Sequence, residues 1–202
     1  MSNVAAPAWE DFLGLPQVPL NPHTGKPPTQ VRRALRKSLL LGTLGELGFI
    51  HGRVRSDLTG EVYSCGGATL AVLHSPDNTL HFGLGICSLR ENFNKKVGRE
   101  AATGRILTQG EGKYYSIGPG DWAKAGVSAR HVAKALEDSF QAIVQVSFEE
   151  AYDNWVNGEG HGTGPALGDA LADQFFTFCH HVIVDEVMQL AQQRSTSPTT
   201  NP

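Results

Sequence analysis

The sequence predicts an α+β domain: a small antiparallel sheet of about three to four strands, one basic helix packed on it, and a C-terminal helical layer. Two observations carry this. Between Phe49 and Cys87 three runs rich in strand formers, FIHGRVRS, EVYSCGGATLAVLH and TLHFGLGIC, are separated by the turn-forming segments DLTG and SPDN, the pattern of a meander. Beyond Ser128 the apolar residues recur at spacings of three and four, the period of helices lying on a core. A chain of 202 residues with 40% hydrophobic content can bury one substantial core, and two would be cramped.

The elements follow in order. Six of the eleven prolines fall in residues 7–28, which blocks regular hydrogen bonding and is expected to make residues 1–28 an extended arm, or simply a flexible leader. Its Trp9, Phe12, Leu13 and Leu15 suit docking on the same domain or on a neighbouring subunit. One domain is then expected over 29–194. Thr29 caps a helix over Val31–Leu41 in which Arg32 and Arg36, and Arg33 and Lys37, share outer stripes while Leu35 and Leu39 pack inward.

After the meander, Cys87 is expected to end the third strand, Ser88 to cap a helix, and the helical pattern to start near Glu91. Phe93, Val97 and Ala101 would face the sheet, with Lys95, Lys96 and Arg99 on the far side. Gly98 and Gly104 each weaken such a helix by up to ~1 kcal/mol relative to alanine, which points to close packing or to close approach of a partner's backbone. The segment GEGKYYSIGP adds a turn and a short strand carrying Tyr114 and Tyr115.

Ser128 then caps a helix whose inward stripe is Val132, Leu136, Phe140, Ile143 and Val144, and Ser147 with Glu150 has the spacing of a capping box for a continuation through Trp155. NGEGHGTG breaks the pattern, and Pro165 opens a last helix with Leu167, Leu171, Phe175, Phe178, Val182 and Met188 down one side. Residues 195–202 are polar and Pro-containing, and are expected to be a disordered tail.

Charge is sorted by position. Residues 1–134 hold 16 Lys and Arg against 10 Asp and Glu, whereas residues 135–202 hold Arg194 alone against 10 acids, so the net charge of −3 hides a basic part joined to an acidic one. No apolar run approaches the ~20 residues of a membrane span, and no basic stretch precedes an apolar one at the start, so no membrane association or export is expected. Three cysteines without CxxC spacing argue against a disulfide framework and for a reducing, cytoplasmic setting.

Enzyme motifs fail on spacing. Gly110-Glu111-Gly112-Lys113 lacks the spacing of a phosphate-cradling loop, and the glycine run 158–164 follows a helix where a dinucleotide site needs a strand. Cys179, His180 and His181 are consecutive and so point ~100° apart on a helix, which prevents convergence on one ion. Cys87 stands before a helix whose dipole would lower its pKa, but the arginine expected six residues on is Phe93. His51 with Asp57, and His74 with Asp77, have no third group to make a triad. No catalytic residue, metal or cofactor is therefore assigned.

The stretch with the most character is HFGLGICSLRENFNKKVGREAATGRIL. Its Cys87, Ser88, Phe93, Asn94, Lys95, Lys96, Gly98, Arg99, Gly104 and Arg105, with Gly66-Gly67-Ala68-Thr69 upstream, resemble a segment of small bacteriophage and prophage proteins in which a strand ending in Cys-Ser leads to a phenylalanine, a basic pair and two Gly-Arg steps. The resemblance spans 65–107 and implies a phage setting, without a reaction.

The reading that follows is a phage-type accessory protein that binds DNA or RNA through a basic helix and sheet face. Arg32, Arg33, Arg36, Lys37, Arg90, Lys95, Lys96, Arg99 and Arg105, with Arg53 and Arg55, would contact phosphates, and Tyr114 or Tyr115 would stack on a base. The alternative is a protein-interaction module without enzymatic activity, binding a host or phage protein or forming a homo-oligomer in which basic and acidic faces meet.

Overall fold

Four antiparallel strands in the order β1-β2-β3-β4 form the sheet in a computed structural model of the chain, which describes residues 45–109, 112–156, 174–175 and 177–196. The expected arm, the helix over Val31–Leu41 with Arg32, Arg33, Arg36 and Lys37, and the start of the last helix at Pro165 lie outside the described residues. The strands are β1 (Glu46–Gly52), β2 (Cys65–His74), β3 (Leu80–Asn92) and β4 (Tyr114–Ile117). Helices α1 (Lys95–Thr108), α2 (Asp121–Lys124), α3 (Ala129–Ala135), α4 (Glu137–Val156) and α5 (Val184–Thr196) complete the described elements. The fold is thus the expected α+β meander, with a helix on one face of the sheet and a helical layer on the other.

Strand alternation divides the core. Leu70, Val72, Leu80, Phe82 and Leu84 point to the helical layer, where Val132, Leu136, Phe140, Val144 and Phe148 meet them. Ala71 and Leu73 point the other way, against Ala102 and Ile106 of α1. The turn SPDN joins β2 to β3: Ser75 N donates to Thr79 O at 3.0 Å, and Asn78 takes a left-handed φ of 61°, which asparagine tolerates.

Glycine sets the seat of α1. A Cβ at Gly83 would overlap the carbonyl oxygen of Ala102 and stand 2.7 Å from Ile106 Cγ1, and one at Gly98 would overlap the Thr69 hydroxyl. The helix therefore lies backbone against backbone on β2 and β3. Close packing within the chain accounts for Gly98, and no partner's backbone is needed.

Five expectations change. β3 continues to Asn92, because Asn92 pairs with Cys65 beyond a bulge and Phe93 N donates to Ser64 O at 2.9 Å; the cap of α1 is Asn94, not Ser88. The sheet-facing side of α1 is Gly98, Ala102 and Ile106, whereas Val97 is 61% exposed, since close backbone contact selects small residues there. Ser147 lies buried inside a continuous α4 rather than capping a new helix. In the last helix a π-turn at Cys179–Ile183 inserts one residue, so the buried line runs Phe178, Ile183, Val187, Ala191 and leaves Met188 outside. α5 also carries Ser195 and Thr196, two residues into the expected tail.

As it leaves β1 the chain is held by two glutamines of α4. Arg53 N donates to Gln141 Oε1 at 2.9 Å and Arg53 O accepts from Gln141 Nε2 at 2.6 Å. Arg55 N and Gln145 Oε1 (2.8 Å), and Gln145 Nε2 and Arg55 O (2.9 Å), repeat the pattern two residues on. Side-chain amides one helical turn apart thus replace the backbone of a partner strand for alternate residues. Gln141→Ala leaves two backbone groups of Arg53 without their partner, and a loss of about 1–2 kcal/mol in urea unfolding is expected; an unchanged midpoint would show the clamp to be idle.

Candidate nucleic-acid interface

The N-terminal half of α1 and the adjacent edge of β1 bring cations and rings together. Asn94 Oδ1 accepts from Lys96 N at 2.9 Å and Val97 N at 3.3 Å, which fixes the first turn. That turn holds Lys95 and Lys96 and no acid. Lysines there oppose the positive end of the helix dipole at a cost of a few tenths of a kcal/mol each, so helix stability does not explain them.

One turn on, the Arg99 guanidinium lies 5.2 Å from the centre of the Phe49 ring, and Arg99 Nε donates to His51 Nε2 at 3.3 Å. His51 Nδ1 lies 3.0 Å from Thr69 Oγ1, and with Nε2 accepting from Arg99 it is Nδ1 that carries the hydrogen. Burial first, then the charges of Arg99 and Lys95, lower the His51 pKa to about 4, so the ring is neutral at pH 7. Phe93 meets His51 edge-on at 6.0 Å, and the Arg53 guanidinium covers Phe93 at 4.6 Å while donating to Tyr63 O. Arg53, Phe93, His51, Arg99 and Phe49 thus form one connected set spanning β1 and α1.

Among the described residues, Lys95, Lys96, Arg99, Arg105, Arg53 and Arg55 have no carboxylate within 4.0 Å; the ion pairs are Lys124 with Asp121 and Arg130 with Glu46. Lys95, Lys96, Arg99, Arg105 and Arg55 are exposed, whereas Arg53 is half-buried over Phe93. Arg105 stands six positions after Arg99, about 240° further round α1, and does not join the group. Arg90 lies in β3 with its side chain outside the description, and Arg32, Arg33, Arg36 and Lys37 are not among the described residues.

The tyrosines do not serve as outward platforms. Tyr114 stacks on His81 with its hydroxyl 3.1 Å from His81 Nδ1, and Tyr115 packs on Phe82 in the core. Alternation along β4 sends the two rings to opposite faces of the sheet, each packed onto it, and the aromatic group that accompanies the cations is Phe93.

Beside this set, α1 and the end of β3 enclose a pocket of about 220 Å³ lined by Phe93, Val97, Gly98, Ala101, Glu91 and Asn92 among others. Cys87 also borders it, but from within β3 rather than at a helix start. Burial and then Glu91 raise its thiol pKa, so the expected activation by a helix dipole does not occur. His74 bonds Asn78 at 3.3 Å and Asp77 bonds Ser75 and Thr79, so neither histidine–aspartate pair forms.

Ser75 Oγ lies 3.0 Å from His81 Nε2, and His81 is 1% exposed. Burial lowers its pKa to about 3, against a smaller upward pull from Asp77. Both depressed histidines bind protons more readily unfolded than folded. Their stabilisation is complete above pH ~6.5 and is lost as pH falls, through about 4 for His51 and about 3 for His81. Between pH 7 and 4.5 His81 alone predicts a loss of about 2 kcal/mol in chemical unfolding; a flat profile would mean that these rings titrate normally.

No family model matches the chain, and no curated protein sequence or solved structure matches it either.

Proposed function

We propose that this is a phage-type accessory protein that binds nucleic acid through the cationic flank of α1 and β1, with Lys95, Lys96 and Arg99 on phosphates and Arg53 and Arg55 beside them. The observation that carries the reading is the pair of lysines in the first turn of α1. They sit where the helix dipole disfavours them, without a carboxylate within 4.0 Å among the described residues. A cation kept at local cost and free of internal partners suits an external polyanion. The acidic α4 and α5, on the other face of the sheet, would limit attachment to one side.

Arg32, Arg33, Arg36, Lys37 and Arg90 remain expected phosphate contacts, their placement outside the described residues and side chains, whereas Arg105 makes at most a separate contact. Cys65 and Cys87 stand as free thiols, which supports a reducing cytoplasm, that of a bacterial host if the chain is phage-encoded. No helix among the described residues is long and apolar enough to cross a membrane. Fluorescence anisotropy with labelled DNA and RNA at low salt tests the reading: binding that weakens steeply with salt supports it, and no binding to any strand overturns it.

A second reading, a module that binds a host or phage protein or a second copy, has its own observation. The segment between β1 and β2 carries Leu58 at 97% exposure with Val62 and Tyr63 also exposed, an apolar tip beside Asp57 and Glu61. Light scattering at rising concentration, with Leu58→Ser as the comparison, separates self-association from a monomer.

A further inference from the structure

We propose that the pocket between α1 and the end of β3 receives one unstacked base of a single-stranded nucleic acid, and that Glu91 reads its amino group. The inference rests on the phosphate-binding reading above and names its substrate class. At about 220 Å³ the pocket is below the ~300–1,000 Å³ of drug-sized sites and suits a single heterocycle. Gly85 and Gly98 line its floor, where α1 lies directly on the sheet, and Ala101 borders it with only a methyl group.

The walls match a base. Phe93 and Val97 supply apolar surface, and Val97 is 61% exposed in the first turn of α1. A base laid against Val97 and Ala101 would cover both. The polar lining is Glu91, Asn92, Thr69 and Cys87, with Asn94 at the helix cap. A carboxylate here repels phosphate and accepts from N–H groups, so it orients the strand: the neutral base goes in, and the backbone stays out. Lys95 and Lys96 directly follow the pocket residue Asn94, which places two cations beside the entrance for the flanking phosphates.

An acceptor at Glu91 favours bases with an exocyclic amine. Cytosine offers its 4-amino group, whereas thymine and uracil offer a carbonyl oxygen at that position. In a duplex the bases are paired and stacked and cannot enter a pocket, so a single strand is the matching ligand.

The test measures anisotropy of labelled oligo(dC) and oligo(dT), with oligo(rC) and oligo(rU) as the ribose arm, for the wild type, Glu91→Gln and Ala101→Trp. Both substitutions are at exposed positions, and circular dichroism checks that the fold persists. Expected are about tenfold tighter binding of dC than dT, loss of most of that ratio in Glu91→Gln, and weaker binding to every strand in Ala101→Trp with an unchanged salt slope. Salt-dependent binding with no base preference and no effect of either substitution overturns the pocket while leaving the phosphate reading intact. Tighter binding to duplex than to single strand also overturns it. Absence of binding to any nucleic acid overturns both.

Discussion

Replacing Lys95, Lys96 and Arg99 together by glutamine is expected to weaken single-strand binding about 100-fold at 0.1 M salt. Each phosphate contact releases roughly 0.7 of a counterion from a single strand, so its share of the binding constant at 0.1 M is about fivefold and three contacts multiply to that figure. Glutamine keeps helix propensity, and removing two cations from the first turn of α1 relieves an unfavourable interaction with the dipole. Arg99→Gln gives up the Phe49 and His51 contacts, which offsets that relief, so the unfolding temperature should change little while affinity collapses. That opposition distinguishes a binding role from a structural one. Arg105→Gln, on another side of α1, should cost no more than about fivefold.

Gly83→Ala is expected to be strongly destabilising. The added carbon would overlap the Ala102 carbonyl, a backbone atom that no rotamer change can move, and would press on Ile106 Cγ1 at 2.7 Å. α1 must lift, which loosens the packing of Ala71, Leu73 and Ile106. Overpacking of this kind costs about 3 kcal/mol, or roughly 10 °C in unfolding temperature for a domain of this size. Gly118→Ala, where a Cβ would meet nothing within 4 Å, is the control and should change little. Because α1 also carries Lys95, Lys96 and Arg99, Gly83→Ala should lose affinity as well, in contrast to the glutamine variant, which loses affinity alone.

The parts of the fold legible in the sequence were those set by local pattern. SPDN between two apolar runs marks a hairpin, and the stripe from Val132 through Val144 marks helices on a core, because alternation and helical period act within a few residues. What stayed hidden depends on distant partners. Ser88-Leu89-Arg90-Glu91 reads as the start of a helix, yet pairing of Asn92 with Cys65 keeps it in the strand. The stripe through Phe93, Val97 and Ala101 assumes that large side chains seek the sheet, whereas Gly83, Gly85 and Gly98 bring backbones so close that only small ones fit. A single inserted residue at the π-turn exchanges Met188 for Val187.

The candidate site divides the same way. Lys95, Lys96 and Arg99 stand out as a local basic run, but Phe49 and His51 reach Arg99 only through packing of α1 on β1. Tyr114 attracts notice as an aromatic near basic residues, and strand parity instead turns it onto His81. Gln141 and Gln145 look like ordinary surface positions until the chain leaving β1 is laid beside them.

The most direct test is the affinity of the wild-type protein for a short single strand across a salt series from about 20 to 200 mM. Three to four phosphate contacts predict a log–log slope of about −2 to −3. Tight binding with no salt dependence, or no binding at the lowest salt, would contradict a cationic flank that serves nucleic acid.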